Sequence, residues 1–333
     1  MLRTVYQGKG ENETNPVIRV ENLVKRYHNL DKAAVDGLSF DVRPGEFFAF
    51  LGPNGAGKTT TISILTTTLA KTSGTVSIGG YDLDRQTKEV RRSIGIIFQN
   101  PSLDLNLTAE ENVRFHVGLY GIYGYRPAYD LMPRSYKEKV TELAQVLGIA
   151  EEIFRPVKTF SGGMKRKLEV VRSLMHDPKI LFLDEPTTGL DAVGRASLWA
   201  YLQRLHSEKR MTIFLTTHYI EEAESADRIC IVNHGRMLFS GSPEAMRSHV
   251  AGKYLLLDAE DRDSLRRELE GFGPEPAGDG RTKVRFDGST PQGILSRIRT
   301  PLSFMRLHEP TLEEAYIGLV SDGKDGEEEE EAS

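Results

Sequence analysis

The sequence has little of several features that mark other classes of protein. It contains one cysteine in 333 residues, which excludes an internal disulfide, and Cys230 lies in a strand-like apolar run typical of a buried position. No apolar run approaches the roughly 18 residues of a membrane-spanning helix, and the polar first ten residues do not resemble a secretory signal. The net charge of −5 argues against bulk nucleic-acid binding, and no nucleic-acid partner is expected.

What the sequence does contain is a glycine-rich segment with the spacing G-x-x-x-x-G-K-T of a phosphate-binding loop. It follows a buried-strand pattern at residues 47–51 and precedes a helical pattern at residues 60–65. Glycines let successive N–H groups point at an anion, and the helix N-terminus adds positive charge. A chance match to the bare pattern is expected in about 1% of chains of this length. The residues predicted to bind a nucleoside triphosphate are Gly52, Pro53, Asn54, Gly55, Ala56, Gly57, Lys58, Thr59 and Thr60.

Within this loop, Lys58 is predicted to bring a full charge to the β- and γ-phosphates, and the Thr59 hydroxyl to bind Mg²⁺. A second acidic half of the site is expected at Asp184 and Glu185, which end the apolar run 180–183. We expect that run to be a parallel strand next to the loop strand, with Asp184 holding Mg²⁺ and Glu185 polarising the attacking water. An isolated Asp-Glu pair would more often cap a turn, so this interpretation depends on Lys58.

Two further polar residues follow strand-like runs. His218 comes directly after residues 212–217 and is predicted to contact the γ-phosphate, although a lone histidine there is more often a surface residue. Gln99 follows residues 94–98, where its amide can reach the metal or the attacking water and couple nucleotide state to movement of the following helical region. Taken alone, Gln99 would be a polar surface residue.

A second anion-binding pattern lies more than 100 residues beyond the first. Ser161, Gly162 and Gly163 stand directly before a helical pattern, as at a helix N-terminus that could hold an anion. Because the chain already has one phosphate loop, a second cradle predicts a site completed across two subunits. The alternative is an ordinary helix cap.

These motifs, in this order over residues 17–245, resemble the ATPases of ATP-binding-cassette (ABC) transporters. The resemblance implies that residues 161–163 are the signature motif, that Asp191 belongs to the D-loop, and that Tyr27 stacks on adenine. Phe160 and Met164 depart from the commonest signature, Leu-Ser-Gly-Gly-Gln, but leave the serine and glycines in place. Met164 with its following basic run, together with residues 310–315, is similar to the daunorubicin-resistance branch of ABC-2 type drug exporters.

The expected fold is α/β: a P-loop NTPase (RecA-like) core with antiparallel β and helical subdomains, plus a small C-terminal α+β domain. The predicted boundaries are a flexible N-terminus at 1–15, an ATPase domain at 16–245 with its helical subdomain at about 101–175, an accessory domain at 246–320, and an acidic disordered tail at 321–333. Residues 229–232 and 237–239 are predicted to form a hairpin.

The resemblance implies an ATP- and Mg²⁺-dependent ATPase that forms a homodimer and powers export through a separate transmembrane permease. Such a subunit would be cytoplasmic and peripheral on the inner face of the membrane. The rival hypothesis is a non-transport ATP switch of the DNA-repair or ribosome-associated kind. Against it, no sustained heptads separate the two halves of the site, as in the DNA-repair relatives, and only one cassette is present, where ribosome-associated relatives have two.

Overall fold

The computed structural model describes residues 15–28, 32–99, 102–250, 253–285 and 290–320 of the chain. The predicted flexible N-terminus, apart from its last residue, and the predicted acidic tail lie outside these ranges. Contacts divide the chain into two compact units, Met1–His218 with Ser225–Met237, and Tyr219–Glu224 with Leu238–Ser333. The predicted domain boundaries remain predictions.

The strands in chain order are β1 (Ile18–Lys25), β2 (Val35–Val42), β3 (Phe47–Leu51), β4 (Ser73–Ile78), β5 (Tyr81–Asp82), β6 (Ile94–Ile97), β7 (Ile180–Asp184), β8 (Thr212–Thr217), β9 (Arg228–Asn233), β10 (Arg236–Gly241), β11 (Tyr254–Ala259), β12 (Glu275–Pro276), β13 (Thr282–Arg285) and β14 (Leu302–His308). The helices are α1 (Lys58–Leu65), α2 (Thr87–Ser93), α3 (Ala109–Leu119), α4 (Arg134–Val146), α5 (Gly162–Leu174), α6 (Ala192–Lys209), α7 (Ile220–Ala223), α8 (Pro243–Val250), α9 (Arg262–Leu269), α10 (Pro291–Leu295) and α11 (312–320).

The first unit is built on two sheets. One is antiparallel with the order β2-β1-β4-β5, and the other has the order β10-β9-β3-β8-β7-β6, in which only Arg236 and Met237 of β10 belong to this unit. In the second sheet, β3 pairs in parallel with β8 and β9, and β7 pairs in parallel with β6 and β8. Every residue of β3, β7 and β8 is buried, as expected for parallel strands that are covered on both faces. The predicted α/β class is therefore confirmed, as is the hairpin of β9 and β10.

One expectation about this sheet is wrong. The strand that carries the acidic pair, β7, does not lie next to the loop strand β3, because β8 pairs with both and separates them. Strand β8 follows β7 in the chain through α6, and this crossover returns it to the inner side of β7. The carboxyl ends of the parallel strands still meet at one edge, so the correction changes the spacing of the site without separating its parts.

An aromatic cluster joins the two sheets of the first unit. Phe40 of β2 stacks on Phe48 of β3 with ring centroids 5.5 Å apart, and Phe214 of β8 lies 5.3 Å from Phe48. Phe50 and Phe182 complete the group at 5.6 and 5.2 Å from Phe214. Tilted and offset rings at these separations add to the burial of their apolar area, so the antiparallel sheet is fixed against the strands that carry the loop.

The region between β6 and β7 is helical and contains a buried ion pair. Arg114 of α3 donates to Glu110 at 3.0 Å, and the Tyr136 hydroxyl of α4 donates to the same carboxylate at 2.9 Å. Helix α3 begins with a capping box between Thr108 and Glu111. These contacts hold α3 and α4 together, and α3 and α4 each pack against α5.

The second unit contains a four-stranded antiparallel sheet with the order β12-β13-β11-β14. Alternate residues of β11, including Leu255 and Leu257, pack with Leu265 and Leu269 of α9 and Ile294 of α10. This is the small α+β unit predicted for the C-terminal region.

The phosphate loop connects β3 to α1 through a glycine that no other residue can replace without strain. Gly57 has φ +100°, and a Cβ built on it would lie 2.4 Å from the carbonyl oxygen of Ala34. Gly55 has φ +82° but no atom within 4 Å of the corresponding position. The two glycines therefore share a left-handed conformation but differ in the space available to a side chain.

We expect Gly57→Ala to destabilise the protein more than Gly55→Ala, because only the first change adds a clash with backbone to the unfavourable φ. The positive φ should cost about 1 kcal/mol at both sites, and the clash should add about 1–3 kcal/mol at Gly57. Urea unfolding followed by circular dichroism measures both. Equal losses for the two variants would contradict the close approach to Ala34.

A pair of half-buried histidines, His116 and His176, lies between the helical region and the parallel sheet. The His116 ring lies 4.4 Å from that of Tyr120 and 6.4 Å from that of His176, whose Nε2 is 2.8 Å from the carbonyl oxygen of Ile94 in β6. Burial, together with the nearby Arg172 and His176, lowers the pKa of His116 to about 3. His116 is therefore neutral in the folded chain.

We expect the free energy of unfolding to fall as the pH drops from 7.5 to 5, because unfolded His116, with a pKa near 6.5, takes up a proton that the folded chain resists. Its share of the loss is about 2 kcal/mol. His116→Phe should lose that much less than the wild type over the same range. His28→Phe, a change at an exposed histidine, should lose as much as the wild type. Identical pH profiles for all three proteins would contradict the lowered pKa.

Candidate functional site: a nucleotide site at the carboxyl edge of the parallel sheet

The carboxyl ends of four parallel strands bring the predicted residues together. The loop follows β3, Gln99 is the second residue after β6, and His218 follows β8 directly. Asp184 ends β7, with Glu185 next in the chain. The register aligns Leu51 with Thr217, Asp184 with Thr216 and Ile97 with Leu183, so these ends lie side by side.

Lys58 is the first residue of α1, and its ammonium group reaches back to the phosphate loop. Its buried Nζ donates to the carbonyl oxygens of Gly52 at 2.6 Å and Pro53 at 3.1 Å. Burial lowers the pKa of Lys58, and the negative charges of Glu185 and Asp184 oppose that change. The lysine thus has backbone partners but no carboxylate within ion-pair distance in the described part of the chain, which suits a cation that receives a phosphate.

The rest of the loop leaves room for that phosphate. Gly55 has open space where a side chain would be, and the side chain of Thr59 is exposed at the start of α1. A helix N-terminus with a glycine before it offers free N–H groups. The residues present therefore fit a triphosphate, and the Thr59 hydroxyl is free to take part in holding Mg²⁺.

Asp184 supplies the carboxylate opposite the loop. Its Oδ1 accepts a hydrogen bond from the Thr216 hydroxyl at 2.6 Å, which orients the group. Burial raises the pKa of Asp184, while the hydrogen bond from Thr216 and the charge of Lys58 act in the other direction. Asp184 is a buried carboxylate with one oxygen held by a neighbour, and within the described ranges no hydrogen bond reaches the other oxygen. Such a group suits a hard cation such as Mg²⁺.

Glu185 gathers the remaining predicted catalytic groups. Gln99 Nε2 donates to Glu185 Oε2 at 2.9 Å, His218 Nδ1 lies 3.2 Å from Glu185 Oε1, and the Thr188 hydroxyl is 3.4 Å from Oε2. Glu185 has φ +46°, a conformation that costs a non-glycine residue free energy and often marks a functional site. The three residues predicted to be catalytic therefore form one cluster of polar contacts centred on Glu185.

Tyr27 lies beside the loop rather than apart from it. Its hydroxyl is 3.5 Å from the Thr60 hydroxyl, and Lys25 Nζ lies 5.2 Å from the centre of its ring. The side chain is 38% exposed, which leaves ring surface free for stacking. Adenine stacking by Tyr27 remains a prediction.

The second anion-binding segment lies away from the loop. Ser161 caps α5 by accepting from the Met164 N–H at 3.2 Å, and among the described residues it has no hydrogen bond to the phosphate loop. Asp191 caps α6 by accepting from the Gly194 N–H at 2.7 Å. A Cβ built on Gly162 would lie 3.5 Å from the Gly189 oxygen, so the two capped ends are neighbours. Both segments face outward, and the structure does not bring Ser161, Gly162, Gly163 or Asp191 to Lys58.

Sequence reasoning missed two residues of this site. Thr216 orients Asp184, and its position at the end of an apolar strand with polar residues after it was an available signal. Arg166 is 3% exposed and donates hydrogen bonds to the main-chain oxygens of Gln99 and Glu185. Arg166 belongs to a basic run in the sequence, and its spacing of three residues from Glu169 is the signal for the buried ion pair that the two residues form in α5.

Comparison with known proteins agrees with this geometry. Residues 35–188 match the ABC transporter family. The chain is 34% identical over 316 residues to the Nod factor export ATP-binding protein I of Ralstonia nicotianae, covering 92% of this chain and 94% of the relative. It is 36% identical over 241 residues to the linearmycin resistance ATP-binding protein of Bacillus subtilis, covering 72% and 74%.

Among solved structures, a dimeric ATP-binding cassette in a post-hydrolysis state with ADP and phosphate is 26% identical, with a TM-score of 0.59 over 68% of this chain and 98% of that one. The P-loop NTPase fold and the family resemblance predicted from the motifs are both confirmed. This chain belongs to the ATP-binding proteins of the ABC transporter family.

Proposed function

We propose that this chain hydrolyses ATP to ADP and phosphate and uses the reaction to drive export through a separate membrane permease. The observation that carries the hydrolytic part is the cluster of Glu185, Gln99 and His218 at the sheet edge that also holds Lys58 and Asp184. A carboxylate with two polar partners, close to a buried cation, suits activation of a water beside a bound phosphate.

Each residue has a defined part in this proposal. Lys58 neutralises the β- and γ-phosphates, and Asp184 and Thr59 would hold Mg²⁺, which supplies charge neutralisation between the phosphates. Glu185 takes the proton from the attacking water. Gln99 and His218, which contact the two oxygens of Glu185, fix the direction of that carboxylate and stand ready to contact water and γ-phosphate.

The site is completed by a second copy of the chain. Ser161 caps α5 and Gly162 and Gly163 begin it, so the N–H groups of this helix N-terminus can donate to the γ-phosphate of an ATP bound by the partner. Asp191 caps the neighbouring α6 and would stand at the same interface. The dimeric state of a cassette that is 26% identical supports this arrangement. ATP shifts the equilibrium between the open and closed dimer only to the extent that it binds the closed dimer more tightly. Closure therefore depends on the γ-phosphate, because that group would contact both chains.

Export through a permease is supported by the relatives, whose names include Nod factor export and linearmycin resistance. No helix in the described ranges has the length and apolar character to cross a bilayer, so the proposal assigns the channel to another chain. Leu105 and Phe115 are exposed in the helical region that follows Gln99, and this surface is our candidate for permease docking. The working location is the cytoplasmic face of the membrane.

Glu185→Gln should retain ATP binding and slow hydrolysis by about 10²–10⁴-fold, because the amide cannot take the proton from water. ATP should then hold the closed dimer, which size-exclusion chromatography with Mg-ATP measures. Lys58→Ala in the same background serves as the control and should stay monomeric. A Glu185→Gln protein that hydrolyses ATP at the wild-type rate would contradict the assigned base.

Mixing two inactive variants tests the shared site directly. Lys58→Ala and Ser161→Arg should each abolish turnover alone. In a mixed dimer, one of the two sites combines an intact Lys58 with an intact Ser161. Random pairing should restore about a quarter of the wild-type rate, since about half of the dimers are mixed and each has one intact site. Phosphate release assays measure this. A mixture no more active than its components would contradict completion of the site by a partner.

A further inference from the structure

A buried arginine in α5 uses every N–H of its guanidinium. Arg166 Nε donates to the Pro186 oxygen at 2.7 Å, and Nη1 donates to the Phe98 oxygen at 2.5 Å and to Glu169 Oε2 at 2.8 Å. Nη2 donates to the oxygens of Gln99 at 3.3 Å and Glu185 at 3.2 Å. A guanidinium has five N–H donors, so all five are satisfied in this arrangement.

The four backbone acceptors come from two segments of the site. Phe98 and Gln99 follow β6, and Glu185 and Pro186 follow β7. The Gln99 side chain in turn donates to the Glu185 side chain at 2.9 Å. Arg166 therefore binds the main chain of both residues whose side chains share this hydrogen bond, Gln99 and Glu185. The same contact holds Glu185 in its unfavourable backbone conformation.

The same arginine belongs to the helix that begins at Ser161. Helix α5 runs from Gly162 to Leu174, and Arg166 lies five residues after the cap, or about 7.5 Å along the axis. A helix of this length moves as a rigid body, so the position of its N-terminus and the position of the guanidinium are not independent. The end of the helix that would face the partner's ATP is thus tied to this chain's own Gln99 and Glu185.

We propose that Arg166 is a positioning residue that sets the geometry of Gln99 and Glu185 and links that geometry to helix α5. The proposal rests on the proposed ATP hydrolysis. Arg166 touches neither ATP nor the attacking water. It acts by fixing two main-chain segments, so that the carboxylate of Glu185 is aimed at water only when α5 is in place.

A purely structural ion pair would not need this geometry. Glu169 is fully buried and receives one N–H from Arg166, and a lysine ammonium could supply the same charge. A lysine has three donors on one atom, so it cannot reach the oxygens after β6 and the oxygens after β7 in the manner of a planar fork. Arg166→Lys keeps the charge beside Glu169 and removes the bridge.

Arg166→Lys should lower kcat for ATP by about 10–100-fold while KM stays within about threefold of the wild type, because misplacing a base slows the chemical step and leaves binding contacts intact. Fluorescent ATP analogue binding to the monomer should be unchanged. In the Glu185→Gln background, the ATP-dependent dimer should still form with Arg166→Lys. This split between binding and turnover is not expected from general loosening of the fold.

Arg172→Lys is the matched control. Arg172 is also buried in α5, but it donates to the main chain and side chain of Ser102, away from the catalytic pair. Its conservative change should leave kcat within about threefold of the wild type. Equal losses in the two lysine variants, or a wild-type kcat for Arg166→Lys, would overturn the proposal. Inactive wild-type protein would instead count against ATP hydrolysis itself.

Two further variants keep the test decisive if Arg166→Lys does not fold. Glu169→Gln leaves all four backbone acceptors of Arg166 and should keep kcat within about threefold of the wild type. Arg166→Gln combined with Glu169→Gln removes both charges of this pair together, so neither residue is left as an unpaired buried charge. Arg172, whose Nη2 lies 3.8 Å from Glu169 Oε1, loses the same partner in Glu169→Gln alone, which therefore serves as the control for that loss. The double variant should show the same 10–100-fold fall in kcat. A fall of that size in Glu169→Gln alone would assign the effect to the ion pair and overturn the backbone role.

Discussion

The site depends on two opposite charges that are held at one buried edge without pairing to each other. Lys58 donates to carbonyl oxygens of its own loop, and Asp184 accepts from Thr216. Burial lowers the pKa of Lys58 and raises the pKa of Asp184, so each charged form is disfavoured in the free protein. A phosphate beside Lys58 would stabilise the charged form of the lysine, and a cation beside Asp184 would stabilise the charged form of the carboxylate. A site arranged in this way favours its ligands because little has to reorganise when they bind.

The parallel sheet is what makes this arrangement possible, and most of it could be predicted from the sequence. Strands β3, β7 and β8 are largely apolar because both of their faces are buried, in part against the antiparallel sheet, and such runs are distinct even in a single sequence. Polar residues that follow these runs then fall at one edge. Gln99, Asp184 and His218 could be named for that reason, since chain direction alone places them.

The order of the strands and the contacts between them were harder to predict from the sequence. Nothing local in β8 indicates that it lies between the loop strand and the acidic strand, because the order is set by how α6 crosses the sheet. Thr216 follows from that order, since only the neighbour of Asp184 can reach it. Arg166 was hidden for a different reason. Three consecutive basic residues suggest a solvent-exposed segment, and only the packing of α5 shows that the middle one, Arg166, is buried.

The contacts of Glu185 and those of Arg166 suggest how hydrolysis could depend on dimer formation. Within one chain, Glu185 already contacts Gln99 and His218, so the groups proposed to act in hydrolysis are assembled without a second copy. Ser161 caps its own helix and, within the described ranges, makes no hydrogen bond to the loop that carries Lys58, so the proposal assigns the second set of N–H donors to a partner. Since Arg166 ties that helix to Glu185, the binding of α5 to a partner's nucleotide would act on the base through main-chain atoms alone. Under that arrangement, turnover requires both the chemistry of one chain and the helix position set by the other.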